Sequence, residues 1–127
     1  MGKLKAKRFD QPDEVRPFTG HGHVDLVELS TGPVGLGTFE PGWKWSNDVK
    51  PLAGTESCQV GHIGYCVSGR MSVRMDDGTL TEISPGTVFQ IPPGHDGWTE
   101  GDGWTEGDEA CVLLDFGGLS GYALSAT

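Results

Sequence analysis

Helical patterning is nearly absent from this 127-residue sequence: no run of ten residues joins a capping residue to apolar positions spaced three and four apart. A helical bundle is thereby excluded. Cysteine is scarce as well. Cys58, Cys66 and Cys111 are odd in number and form no Cys-x-x-Cys pair, which argues against the disulfide framework of a small secreted domain and for reduced thiols. No segment approaches the apolar length of a membrane span, and the first eight residues (Met-Gly-Lys-Leu-Lys-Ala-Lys-Arg) lack the apolar core that follows in a signal peptide. The expectation is a soluble cytoplasmic protein with no membrane partner. Cations are few: the net charge is −9, and because four positive charges (Lys3, Lys5, Lys7, Arg8) fall in the first eight residues, residues 9–127 carry −13. So acidic a body has no electrostatic footprint for a phosphate backbone, which excludes nucleic acid as a partner. The basic start reads as a solvated tail.

What the sequence has in quantity is turn residues. Its 21 glycines and 8 prolines stand between short apolar runs rather than in one linker, the pattern of a single all-β domain. Residues 1–33 read as an N-terminal arm and first strand, 34–116 as the barrel core and 117–127 as a small-residue tail. The arm is expected to pack on the barrel or on a neighbouring subunit. His23–Leu29 and Val34–Phe39 form a hairpin around a Thr-Gly-Pro turn. The stretch from Glu40 to Pro51 breaks regular structure with two prolines and carries Trp43 and Trp45, which in extended chain share one face. They either cover the core at a barrel edge or line a pocket mouth. Strands follow over His62–Val67, Met71–Met75, Thr79–Ile83, Thr87–Ile91 and Ala110–Phe116. The turn between the second and third of these holds Asp77-Gly78, whose positive φ angles suit a tight hairpin. About seven to nine short strands with frequent turns indicate a sandwich, jelly roll or barrel. One hexamer, Gly97–Asp102 (Gly-Trp-Thr-Glu-Gly-Asp), recurs unchanged as Gly103–Asp108. Since six is even, either copy continues a strand without exchanging its faces, so the surplus copy is expected to bulge into solvent.

The chemistry gathers in two stretches. Between Gly54 and Gly69, Glu56, Cys58 and His62 stand at metal-ligand spacing ahead of an apolar strand; between Gly86 and His95, a Pro92-Pro93-Gly94 turn brings out a second imidazole. Cys66 and Cys111 lie within apolar runs and read as inert core thiols. His21 and His23 precede the first strand and read as surface residues. Tyr65 and Arg70 are further polar groups, Arg70 facing water.

Gly86, five residues, then Pro92-Pro93-Gly94 reproduces the second motif of the cupins, and Gly69 supplies the closing glycine of their first. Over roughly residues 34–116 the chain resembles a small single-domain cupin. The resemblance implies a double-stranded β-helix, the cupin jelly roll. It also implies a metal in the barrel mouth. Counted back from Gly69, the family's Glu position falls on His62 and its two His positions on Glu56 and Cys58, while its last His falls on Gly97, two residues beyond His95. The implied ligand set is Glu56, Cys58, His62 and His95. Carboxylate, thiolate and imidazole together suit a divalent transition metal, Zn, Fe, Ni or Cu, and the thiolate leans towards zinc or iron. The readings that follow are a metal-dependent enzyme acting on a small molecule, a sensor that binds metal or ligand without turnover, or a cupin that has lost its metal. The resemblance further implies a homodimer.

Overall fold

Alternation of side chains along short apolar runs builds two antiparallel sheets here. The structure is a computed structural model and describes residues 4–99 and 109–117. Strands β1 (Glu14–Pro17), β2 (Gly22–Leu29) and β3 (Gly32–Phe39) are followed by two single helical turns, α1 (Trp45–Asp48) and α2 (Lys50–Ala53). Then come β4 (His62–Ser68), β5 (Met71–Met75), β6 (Leu80–Ile83), β7 (Val88–Ile91), β8 (His95–Thr99) and β9 (Cys111–Gly117). One sheet has the order β1-β2-β3-β9-β4-β7 and the other β6-β5-β8. This is the all-β jelly roll. Among the described residues no helix is long and apolar enough to cross a membrane.

The core lies between the sheets. β4 shows the rule: Gly64 and Cys66 turn inward, whereas Ile63, Tyr65 and Val67 face out. Met71 and Val73 of β5 in the facing sheet are buried in one cluster with Phe89 and Ile91 of β7, Leu113 of β9, and Val24, Leu26 and Phe39, all of the larger sheet. Phe18, Phe39 and Trp43 close one end, with ring centroids 5.3 Å apart for the two phenylalanines and 4.6 Å for Phe39 and Trp43.

The structure corrects the sequence reading in two places. The stretch from Glu40 to Pro51 is not simply irregular. Trp45–Asp48 and Lys50–Ala53 form helical turns, with Pro51 in the first turn of α2, where a missing N–H costs nothing, and Gly54 closing it at φ 75°. Four residues each are too few to register as a period. At the β5–β6 hairpin only Gly78 is left-handed (φ 93°). Its N–H donates to Met75 O at 2.9 Å, and the Met75 N–H donates to Thr79 O at 2.8 Å. This is a one-glycine turn with a bulge rather than a turn with two positive φ angles.

The arm, for its part, packs on the barrel: β1 joins the edge of the larger sheet through β2, and Phe18 enters the core. In the first copy of the hexamer, Gly97–Thr99 complete β8. The rest of the repeat, residues 100–108, lies outside the described residues, and with it the expected bulge of the surplus copy.

Candidate metal centre

Three donor side chains reach one point from three chain segments. Cys58 lies just before β4 and is pinned by its backbone: its N–H donates to His95 O at 2.7 Å, and the Gly94 N–H donates to Cys58 O at 2.7 Å. His62 opens β4 opposite Ile91 of β7 and points inward, on the same face as Gly64 and Cys66. His95 opens β8, and Gly94 at φ 92° makes the turn that delivers it. The ligand atoms of Cys58, His62 and His95 all lie within 4.8 Å of one another. All three side chains are buried.

Both imidazoles are held by their far nitrogens. His62 Nδ1 lies 2.7 Å from Asp115 Oδ2, and His95 Nδ1 lies 2.8 Å from the Pro92 carbonyl oxygen. A carbonyl oxygen can only accept, so the hydrogen-bond network assigns the His95 proton to Nδ1. The carboxylate of Asp115 favours the same tautomer at His62. Each Nε2 is then left as a lone pair, and that of His62 is 4.0 Å from Cys58 Sγ. An acceptor behind a ligating imidazole fixes its orientation and raises its basicity, and a carboxylate does so more strongly than a carbonyl. Asp115 was not foreseen. The signal was present in β9, where Cys111, Leu113 and Asp115 share the inward face, so a carboxylate stood at a core position.

Burial pushes the Cys58 thiol up to about 11, only partly offset by hydrogen bonding to the Val60 backbone. At neutral pH it is a thiol, which disfavours a metal-free Cys/His nucleophile. Burial also lowers the His95 pKa, with a smaller opposing effect from its bond to Pro92, so this imidazole is neutral at pH 7. A neutral imidazole and a thiol that ionises only with a cation beside it are a donor set that fits a metal.

Glu56 is not brought to this group. Its side chain is 96% exposed and pairs with Lys50 Nζ at 3.0 Å. The chain bends through residues 55–57 after α2, so the same-face spacing to Cys58 that holds in a strand does not apply. His21 Nδ1 contacts Asp48 Oδ1 at 3.1 Å and His23 Nε2 contacts Asp25 Oδ2 at 3.3 Å, both histidines part-exposed. Cys66 and Cys111 are fully buried, with burial raising both thiols. Tyr65 and Arg70 face outward.

The cluster opens on a small cavity of about 40 Å³ between the sheets. Trp43, Trp45, Met71, Phe89 and Gly97 are among its walls, with His62, His95 and Asp115 as the polar exceptions. Both sequence readings of the tryptophans therefore hold at once: they are buried in the core and they line the pocket.

No family model matches the chain, and no curated protein matches it. Solved structures do. A protein of unknown function from Rhizobium leguminosarum bv. viciae 3841 is 18% identical with a TM-score of 0.59, covering 89% of this chain and 94% of its own. An RmlC-like cupin from Shewanella frigidimarina NCIMB 400 is 15% identical with a TM-score of 0.56, covering 90% and 89%. The polyketide cyclase RemF from Streptomyces resistomycificus is 17% identical with a TM-score of 0.60, covering 89% and 78%. At these identities the likeness shows the fold, and the fold is that of the cupins.

Proposed function

We propose that this cupin-fold chain binds one divalent transition metal, zinc before the others, through Cys58 Sγ, His62 Nε2 and His95 Nε2, and acts on a small, largely apolar molecule in the adjoining cavity. The observation that carries this is the pair of anchored imidazoles, each with its Nδ1 on an acceptor, with His62 Nε2 4.0 Å from Cys58 Sγ and one ligand atom from each of Cys58, His62 and His95 within 4.8 Å of the others. Three protein donors are one short of a closed tetrahedron, which is the arrangement of catalytic rather than structural zinc sites. Bound there, the metal would supply Lewis-acid chemistry. The chain does the rest: Asp115 orients His62, Pro92 orients His95, and the apolar walls shed water from the space beside them. That one structural neighbour is named a polyketide cyclase supports turnover of a small organic molecule on this fold. Fold alone does not choose among chemistries, so the reading rests on the donor set.

Copper is the second metal that two imidazoles and one thiolate accommodate, and Met71, a possible weak sulfur donor, lines the same cavity. We also propose a homodimer, supported by the apolar side chains left exposed on the outer face of the larger sheet: Ile63, Val67, Val88 and Phe116.

The test is elemental analysis of the chain purified without chelator or polyhistidine tag. About one metal per chain is expected, and its removal by a chelator should lower the melting temperature, because a ligand bound only to the native state stabilises it. A chain that stays below about 0.1 equivalents after incubation with zinc and copper salts would contradict the reading.

A further inference from the structure

Of the three donors, Cys58 is the least anchored by its own element. His62 opens β4 and His95 opens β8, each inside a ladder, whereas residues 54–61 belong to no strand and the Cys58 backbone meets a neighbouring segment at one isolated bridge, to His95. Its N–H and its carbonyl oxygen are both spent there. The Glu56–Lys50 pair lies in solvent and ties the segment only to the helical turn before it. An irregular stretch held at one residue opens easily, and its side chains move with it.

A second tie comes from the turn after β5. Asp76 Oδ2 accepts from Ser57 Oγ at 2.9 Å, and the Asp76 backbone N–H donates to Gly94 O at 2.9 Å. Ser57 precedes Cys58 and Gly94 precedes His95, so Asp76 is joined to the residue in front of each donor. The carboxylate also lies against Gly94, where an added Cβ would stand 3.0 Å from Asp76 Oδ2. Although Asp76 is exposed, Ser57 is only 8% exposed, and its hydroxyl both donates to Asp76 and accepts from Gln59 Nε2 at 3.0 Å. Buried hydroxyls keep such partners because going without them is costly.

Asp76 is not explained by its turn or by the metal. The neighbouring Asp77 is the residue whose side chain closes that turn, accepting from the Thr79 N–H at 2.9 Å. Among the described residues the cluster of possible ligand atoms holds Cys58, His62 and His95 without Asp76.

We infer that Asp76 is a positioning residue of the metal centre, which through the Ser57 hydroxyl holds Cys58 where its sulfur meets the two imidazoles. The inference rests on the metal reading for its purpose, while the link itself belongs to the metal-free chain. A donor fixed before the metal arrives spares binding the cost of ordering it.

Three variants isolate the link. Asp76→Ala removes the carboxylate and keeps the backbone bond to Gly94, Asp76→Asn keeps an oxygen that can accept from Ser57, and Ser57→Ala removes the donor. Zinc affinity is read by competition with a chromophoric chelator, and the cobalt-loaded chain is followed through its thiolate-to-cobalt charge-transfer band. Asp76→Ala and Ser57→Ala should each weaken zinc binding about 10-fold, the lower end for an outer partner of a metal site, and should shift or weaken the band at saturating cobalt. Asp76→Asn should stay within about 3-fold of the parent. The double variant Ser57→Ala/Asp76→Ala should match the weaker single variant within about 2-fold, because both changes delete one bond. A general loss of stability would neither alter the band at saturation nor be relieved by Asn. Unchanged affinity or an unaltered band in Asp76→Ala, equal damage from Asn and Ala, or losses that add in the double variant overturns the inference. A parent that binds zinc while the variants fail these expectations keeps the metal reading and sinks the positioning role. A parent that binds neither zinc nor cobalt sinks the metal reading, and the link is then judged by hydrogen exchange of the Cys58 amide, the donor to His95 O. Exchange about 10-fold faster in Asp76→Ala than in the parent and Asp76→Asn, with the Cys66 amide of β4 unchanged, keeps the link, and equal rates overturn it.

Discussion

His62→Ala should lose metal affinity by on the order of 1000-fold, since one of three donors carries a large part of a binding energy that is typically about 10–16 kcal/mol for a full zinc site. The same loss is expected for His95→Ala, and both variants should remain folded by far-ultraviolet circular dichroism. Affinity is read by competition with a chromophoric chelator. Asp115→Asn keeps size and shape but replaces the carboxylate behind His62 Nδ1, 2.7 Å away, so a loss of about 10- to 100-fold is expected. Glu56→Ala should change affinity less than about 2-fold, because its carboxylate lies in solvent beside Lys50. The ordering of these variants carries more information than any one of them. A protein in which Glu56→Ala was as damaging as His62→Ala would have a site other than the one described.

Gly64→Ala is expected to be among the most damaging single methyl groups in the fold, at about 3 kcal/mol or more. A Cβ at Gly64 would collide with the Leu114 carbonyl oxygen and come within 2.9 Å of Phe89 Cζ. The first of these is backbone of the neighbouring strand and has no rotamer to change. Gly64 pairs with Asp115 across the β4–β9 ladder, beside a register shift at Ile63/Gly64. The close approach of β9 that only glycine permits is thus the same approach that sets Asp115 against His62. The melting temperature should fall by roughly 10 °C or more for a domain of this size, and metal affinity should fall with it. Gly86→Ala is the control: at φ 91° its new methyl meets no atom within 4 Å, so only the left-handed backbone penalty of about 1–2 kcal/mol applies. Equal destabilisation of the two variants, followed by thermal unfolding, would show that backbone conformation rather than strand approach sets the cost at Gly64.

The legible parts of this protein were those fixed by local rules. Period-two alternation located the strands from His62 to Ile91, and Gly86 with Pro92-Pro93-Gly94 located the turn that presents His95. Cys58, His62 and His95, singled out from spacing, do meet in space. What escaped depended on other distances. Glu56 was placed by counting along an extended strand, but residues 55–57 bend. Strand β1 is four residues with three of them charged or proline, so its membership of the sheet comes from pairing with β2 rather than from its own pattern. Asp115 lies 53 residues from His62 in the chain, and only the β4–β9 ladder joins them. The link from Ser57 to Asp76, 19 residues apart in the chain, is likewise a property of packing.

The central claim is that Cys58, His62 and His95 share one metal ion. Diffraction from crystals of the zinc-loaded chain, collected on both sides of the zinc absorption edge, tests it most directly. The account predicts one anomalous peak per chain, within bonding distance of Cys58 Sγ and of Nε2 on both His62 and His95. A peak elsewhere, or density for a water hydrogen-bonded between unligated imidazoles after zinc loading, would contradict it.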